Sequence, residues 1–194
     1  MSSRLRRSRF VLGWCVSIAA VAGAAVAAQS IDLVAPAASK PSKPPKPDLM
    51  AMMRAATAKY QNIDKAFADG YIDDGFGCID ATTFGLDPSE GGMGFHLINW
   101  ALHDDPATDP LSPDLLVYEP APNAHGKPKL VALEYEVFRP DWWAAGNTEP
   151  PSLLGQEFES FDFDGLEIFG LHVWLWRNNP SGLFADFNPK TRCR

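Results

Sequence analysis

Basic residues are in short supply in this chain: 17 Lys and Arg face 24 Asp and Glu, a formal net charge of −7 over 194 residues. Phosphate backbones are gripped by clustered cations, so a nucleic-acid partner is excluded. Cysteine is sparse too, three in all and an odd number. No GxSxG nucleophile elbow and no HExxH pair occurs, which removes the commonest serine-hydrolase and zinc-protease signatures. Internal repeats are absent, and with 46% hydrophobic residues the chain is neither a solenoid nor a disordered protein.

The one long apolar run lies at the start. Arg4, Arg6, Arg7 and Arg9 precede a stretch from Phe10 to Val26 that is apolar or small except for Ser17, and small residues follow up to Ala28. A positive, then apolar, then small-residue profile is that of a signal peptide, so residues 1–28 are expected to be removed on bacterial export to the periplasm or the exterior. Removal takes away four of the basic residues and no acidic one, and carries the net charge from −7 to −11. Residues 29–48, rich in Pro, Ala, Ser and Lys, have too little apolar surface to offset their ordering entropy and read as an extended linker.

Residues 49–194 are the length of one ordinary domain. Leu49, Met52, Met53, Ala56, Tyr60, Ile63 and Phe67 recur every three or four positions, which predicts one amphipathic helix with Asp48 as N-cap and Gly70 as stop. Beyond Gly70 the helical period disappears. Strand-like runs take over at 94–99, 115–119, 130–138 and 167–176, with a shorter one at 156–161. The expected fold is therefore a single α+β domain, the helix packed on a mainly antiparallel, curved β-sheet. Residues 139–154 read as a long loop, and Trp142 and Trp143 within it as a possible contact for an envelope partner.

Cys15 leaves with the signal peptide. The remaining pair, Cys78 and Cys193, is expected to form a disulfide in an oxidising compartment. It would fasten an irregular C-terminal tail.

Period-two alternation then assigns the strand residues to faces. Phe95 and Leu97, then Val131, Leu133, Tyr135 and Val137, then Leu171, Val173 and Leu175 form the apolar side that meets the helix. His96, Glu134, Glu136, His172, Trp174 and Trp176 fall on the other. His103 and His125 sit in loops and read as solvated. Two imidazoles and a carboxylate are a ligand set for a divalent transition metal, so His96, Glu134 and His172 are the metal candidates. Tyr118, Glu136 and Trp174 complete a candidate small-molecule site. The same histidines also suit a general base of a hydrolase or isomerase. The glycines at 91–94 precede a strand instead of opening a helix, which is the wrong order for a phosphate loop. The acidic run at 162–167 lacks the third oxygen ligand that an EF-hand places before its glycine.

The phrases GGMGFHLIN, PDLLVYEP, LVALEYEV, LLGQEF and LHVWLWRNNPSGLFADFNPKTRC resemble a family of uncharacterised secreted bacterial proteins over about residues 55–193. That resemblance implies an exported single domain, and it transfers no catalytic role.

Overall fold

The computed structural model describes residues 47–123, 126–163 and 165–193. The expected leader and nearly all of the linker, together with His125 and Asp164, lie outside the described residues.

Helical residues come first, but in two pieces. Helix α1 spans Pro47–Thr57, a 3-10 turn covers Ala58–Gln61, and α2 spans Ile63–Ala68. The expected single helix is therefore corrected, and Asp48 lies in the first turn of α1 and not ahead of it. Two contacts, one local and one across the core, account for the break. The Thr57 hydroxyl donates to the Met53 carbonyl at 2.8 Å, and the Tyr60 carbonyl accepts the Tyr118 hydroxyl at 2.7 Å, a bond to the sheet that replaces continued helix. Asn62 then restarts the helix, its side chain accepting from the Asp64 amide. Gly70, at φ 93°, ends it.

The chain continues through β1 (Ile72–Asp80), β2 (Gly92–Ile98), the short α3 (Trp100–His103), β3 (Leu115–Glu119) and β4 (Lys129–Phe138). It then forms α4 (Arg139–Ala144), the two-residue strands β5 (Ser152–Leu153) and β6 (Gln156–Glu157), β7 (Glu159–Phe163) and β8 (Leu166–Val173). Six strands make one antiparallel, curled sheet in the order β1-β2-β3-β4-β8-β7, and β5 pairs with β6. The architecture is α+β. Among the described residues no helix is long and apolar enough to cross a membrane.

The helical segment and the sheet share one core. Met53, Tyr60 and Ala66 meet Leu97, Leu116, Tyr118, Leu133, Tyr135, Leu171 and Val173 in a single buried cluster. Met52 and Phe67, on the expected apolar stripe, stay about half exposed. Strand β1 escaped the sequence reading because its glycines and aspartates break the alternation. Its pairing with β2 skips between Asp73 and Cys78, so Asp74, Gly75, Phe76 and Gly77 leave the ladder as a bulge. The segment read as a long loop begins instead with α4, which Pro140 opens.

Two face assignments change. The β3/β4 register shifts between Val117 and Tyr118, which puts Leu130 in the helix-side core and Val131 in a second cluster with Val117, Ala132 and Trp174. After Val173 the chain turns, with the Leu175 amide donating to the Val173 carbonyl. The alternation ends there. Trp176 thus reaches the helix side, where its indole N–H donates to the Thr57 hydroxyl at 3.2 Å.

The tail from Trp174 onward has little regular structure and is pinned at several points. The Trp174 amide donates to the Leu183 carbonyl, and Gly92 and Asn188 exchange two backbone hydrogen bonds at 3.1 and 3.2 Å. A side chain on Gly91 would place Cβ 2.0 Å from the Asn188 carbonyl oxygen, so only glycine admits the tail there. The tail closes on the Cys78–Cys193 disulfide, with Cα atoms 5.4 Å apart.

Candidate metal centre

On a flat sheet β2 and β8 would stand about 14 Å apart, three strand spacings. The curl of the sheet and the reach of the two side chains close that gap: the rings of His96 on β2 and His172 on β8 have centroids 5.8 Å apart. Glu134 on β4, paired in register with His172, lies between them. Its Oε2 is 3.2 Å from His96 Nε2 and 3.4 Å from His172 Nε2. All three residues are 3% exposed, and one ligand atom from each lies within 4.8 Å of the others.

Each imidazole has a second carboxylate behind it. Asp74, from the β1 bulge, places Oδ2 3.7 Å from His96 Nδ1. Asp186, from the C-terminal tail, places Oδ1 3.6 Å from His172 Nδ1. The order is therefore Asp74, His96, Glu134, His172, Asp186. A carboxylate behind a histidine fixes the ring and raises its basicity toward a metal on the far nitrogen.

The contacts within this chain are close without being well-formed hydrogen bonds. Both ring nitrogens of His96 and the Nε2 of His172 are buried with no hydrogen-bond partner among the described residues. Leaving such groups unpaired is costly in a folded interior. The electrostatics are equally unresolved. Burial pushes His96 down to about 3, and His172 beside it works the same way. Burial also drives the Glu134 carboxyl well up, against the pull of His172 and with help from Glu136, Asp186 and Asp74. Burial alone would lower His172, but the Glu134 and Asp186 carboxylates override it and hold it at about 9. Asp74 rises to about 6, through burial and then the neighbouring carboxylates Asp73 and Glu136. Three carboxyl groups, of Asp74, Glu134 and Asp186, thus flank two buried imidazoles. A cation between the Nε2 atoms and Oε2 would use all three donors and offset the negative excess.

The remaining candidates divide. Glu136 shares the polar face and places Oε2 3.4 Å from His103 Nε2. Its amide donates to Asp114 Oδ2 at 3.1 Å. Trp174 is on this face as well, and its indole N–H donates to the Ala185 carbonyl, one residue before Asp186. It holds the tail that supplies the backing carboxylate. Tyr118 does not join them. It lies in the helix-side core, fully buried, because the face alternation of β3 sends it there.

Asp74, Asp186, His103 and Asp114 were not foreseen. Asp74 and Asp186 sit in a bulge and in an irregular tail, where no periodicity assigns a face. His103, expected in solvent, is 3% exposed, its ring between Trp100 and Phe138 with centroids 5.2 and 4.5 Å away. Only the aromatic neighbours at Trp100 and Phe138 carried any signal for it.

No protein-family model, no curated protein and no solved structure matches the chain. The reading of function rests on the site itself.

Proposed function

We propose that the protein is an exported domain that holds one divalent transition metal ion through His96 Nε2, His172 Nε2 and Glu134 Oε2. The observation that carries this reading is the convergence of three buried donor atoms within 4.8 Å, two of them imidazole nitrogens without a hydrogen-bond partner. Asp74 and Asp186 would orient the two rings from outside. Two nitrogens and one carboxylate oxygen suit Zn²⁺, and equally the facial arrangement used for Fe²⁺. Either ion would keep at least one position for water or a small ligand. That open position is what separates a reactive or ligand-binding centre from a purely structural one.

Export is part of the proposal. The arginine-led apolar leader, the Pro- and Lys-rich linker and the Cys78–Cys193 bridge agree with an oxidising destination. The acidic surplus of the mature chain also favours a cationic partner.

Elemental analysis of the purified full-length protein, with titration of the apoprotein by Zn²⁺, Fe²⁺ and Mn²⁺, tests the reading. One equivalent of metal is expected, lost in both His96→Ala and His172→Ala while circular dichroism stays that of the parent. No bound metal and no saturable titration would overturn it. The same histidines would then be left to an acid–base role, tested by loss of activity in the two variants across a substrate screen.

A further inference from the structure

A second site lies away from the proposed metal centre. The segment 146–152, with Thr108 and Trp142 of α4, lines a shallow, open surface cleft of about 430 Å³. That volume falls within the range of small-molecule sites, roughly 300–1,000 Å³.

The cleft is held in shape before any ligand arrives. The Trp142 indole N–H donates to the Glu149 carbonyl at 2.8 Å, and the Asn147 amide group donates to the Trp142 carbonyl at 2.9 Å. These two bonds fix the ring and cross-link the segment. Pro150 and Pro151 stiffen it further. The Pro151 carbonyl accepts from the amide of buried Phe158 at 2.9 Å, and the β5–β6 hairpin anchors the far end.

The lining selects the chemistry. Thr108, Thr148 and Ser152 offer hydroxyls, Asn147 an amide and Glu149 a carboxylate, none of them exhausted by contacts within the fold. Trp142, partly buried against the core, supplies the aromatic part of the lining, with Pro150 and Pro151 beside it. Lys and Arg are missing from the lining, so a phosphate or carboxylate ligand would meet Glu149 without a compensating charge. A lipid would leave the hydroxyls and amide unpaired. A quaternary ammonium group is recognised by several aromatic faces forming a cage, and here there is one. A neutral polyhydroxylated ring satisfies every part: its hydroxyls pair with the carboxylate, amide and hydroxyl groups, and its C–H face lies on the indole.

We infer that the Trp142 cleft, built by segment 146–152 and Thr108, is a binding site for a neutral saccharide. The site is separate from the His96/Glu134/His172 centre, and neither reading depends on the other.

Isothermal titration of the full-length protein with cellobiose, maltose and N,N′-diacetylchitobiose, and with choline chloride as the competing chemistry, tests the inference. Saturable binding of at least one disaccharide at millimolar concentration or below is expected. Trp142→Ala should weaken it at least about tenfold, the equivalent of ~1.4 kcal/mol. Glu149→Gln and Thr148→Val, on the exposed rim, should weaken it as well, and they serve if Trp142→Ala unfolds. Trp143→Ala, at an exposed position outside the lining, should bind as the parent does. The inference is overturned if none of the three sugars binds, if the rim variants bind them unchanged, or if choline alone binds.

Discussion

His96 and His172 meet edge to face, their ring centroids 5.8 Å apart, although β3 and β4 lie between the strands that carry them. The pair exists only in the curled sheet, with Glu134 between the rings. Under the proposed reading, an ion between them would be held more or less firmly according to what stands behind each ring.

Asp74→Asn and Asp186→Asn each keep the size of the side chain while removing the backing charge. Loss of a carboxylate behind a ligating histidine typically costs about 10–100-fold in metal affinity. Each variant is expected to bind Zn²⁺ more weakly by a factor in that range, with the fold retained, as measured by competition with a chromophoric chelator. Affinity equal to the parent in both would show that the two aspartates do not orient the rings.

Asp114 offers a test free of metal. Burial, and secondarily the nearby Glu136, lift its carboxyl from an ordinary 3.8 to about 7, against the lowering effect of the Glu136 amide and His103. The folded state therefore holds its proton more tightly than the unfolded state. The contribution to stability is fully present below pH 4 and is lost as the pH rises from about 4 through 7. Asp114→Asn keeps an acceptor for the Glu136 amide and removes the ionisation. It should raise stability at pH 8 by on the order of 1–3 kcal/mol, the usual cost of a poorly compensated buried polar group, and do little at pH 4. Chemical denaturation at the two pH values measures the difference, and an equal effect at both would defeat the argument.

The Cys78–Cys193 bridge spans a sequence separation of 115 residues, for which the loop-entropy model gives about 4–5 kcal/mol. The Cys78→Ser/Cys193→Ser double variant should lose stability of that order in urea. It should also loosen the tail that bears Asp186, seen as faster amide exchange over residues 183–193. A thiol titration of the unreduced, unfolded protein should find no free sulfhydryl at Cys78 or Cys193.

Gly94 tolerates no side chain. Its φ is +125°, and a Cβ there would lie 2.4 Å from the Tyr118 carbonyl oxygen on the neighbouring strand. Gly94→Ala must separate β2 from β3 two residues away from His96. A loss of about 2–4 kcal/mol is expected from strain and overpacking together, accompanied by weaker metal uptake. A variant with parental stability would contradict the close approach.

The part of the candidate centre that could be read in advance is the part on regular strands. His96, Glu134 and His172 sit inside β2, β4 and β8, where a period of two assigns each side chain to a face without any tertiary information. Val131 and Trp176 went to the wrong side for one reason: a register shift in β4 and a turn after Val173 each reset the alternation. Asp74 and Asp186 have no period to follow, and what delivers them is the β1 bulge and the disulfide-closed tail. The single helix expected over 49–67 failed through a contact far away in sequence, since the Tyr60 carbonyl accepts the Tyr118 hydroxyl across the core. Local spacing holds no record of such a bond.

Among the described residues the curled sheet runs from β1 at one edge to β7 at the other, and edge strands are where a sheet can template another chain. Neither edge is smooth. The glycine-flanked excursion at 74–77 interrupts the ladder of β1, and β7 presents the exposed Asp162 beside Arg139. Bulges and charges of this kind discourage edge-to-edge stacking. The bulge that brings Asp74 to His96 thereby also roughens the β1 edge, so straightening it would withdraw that carboxylate from the ring and leave a smoother strand, the kind that stacks edge to edge.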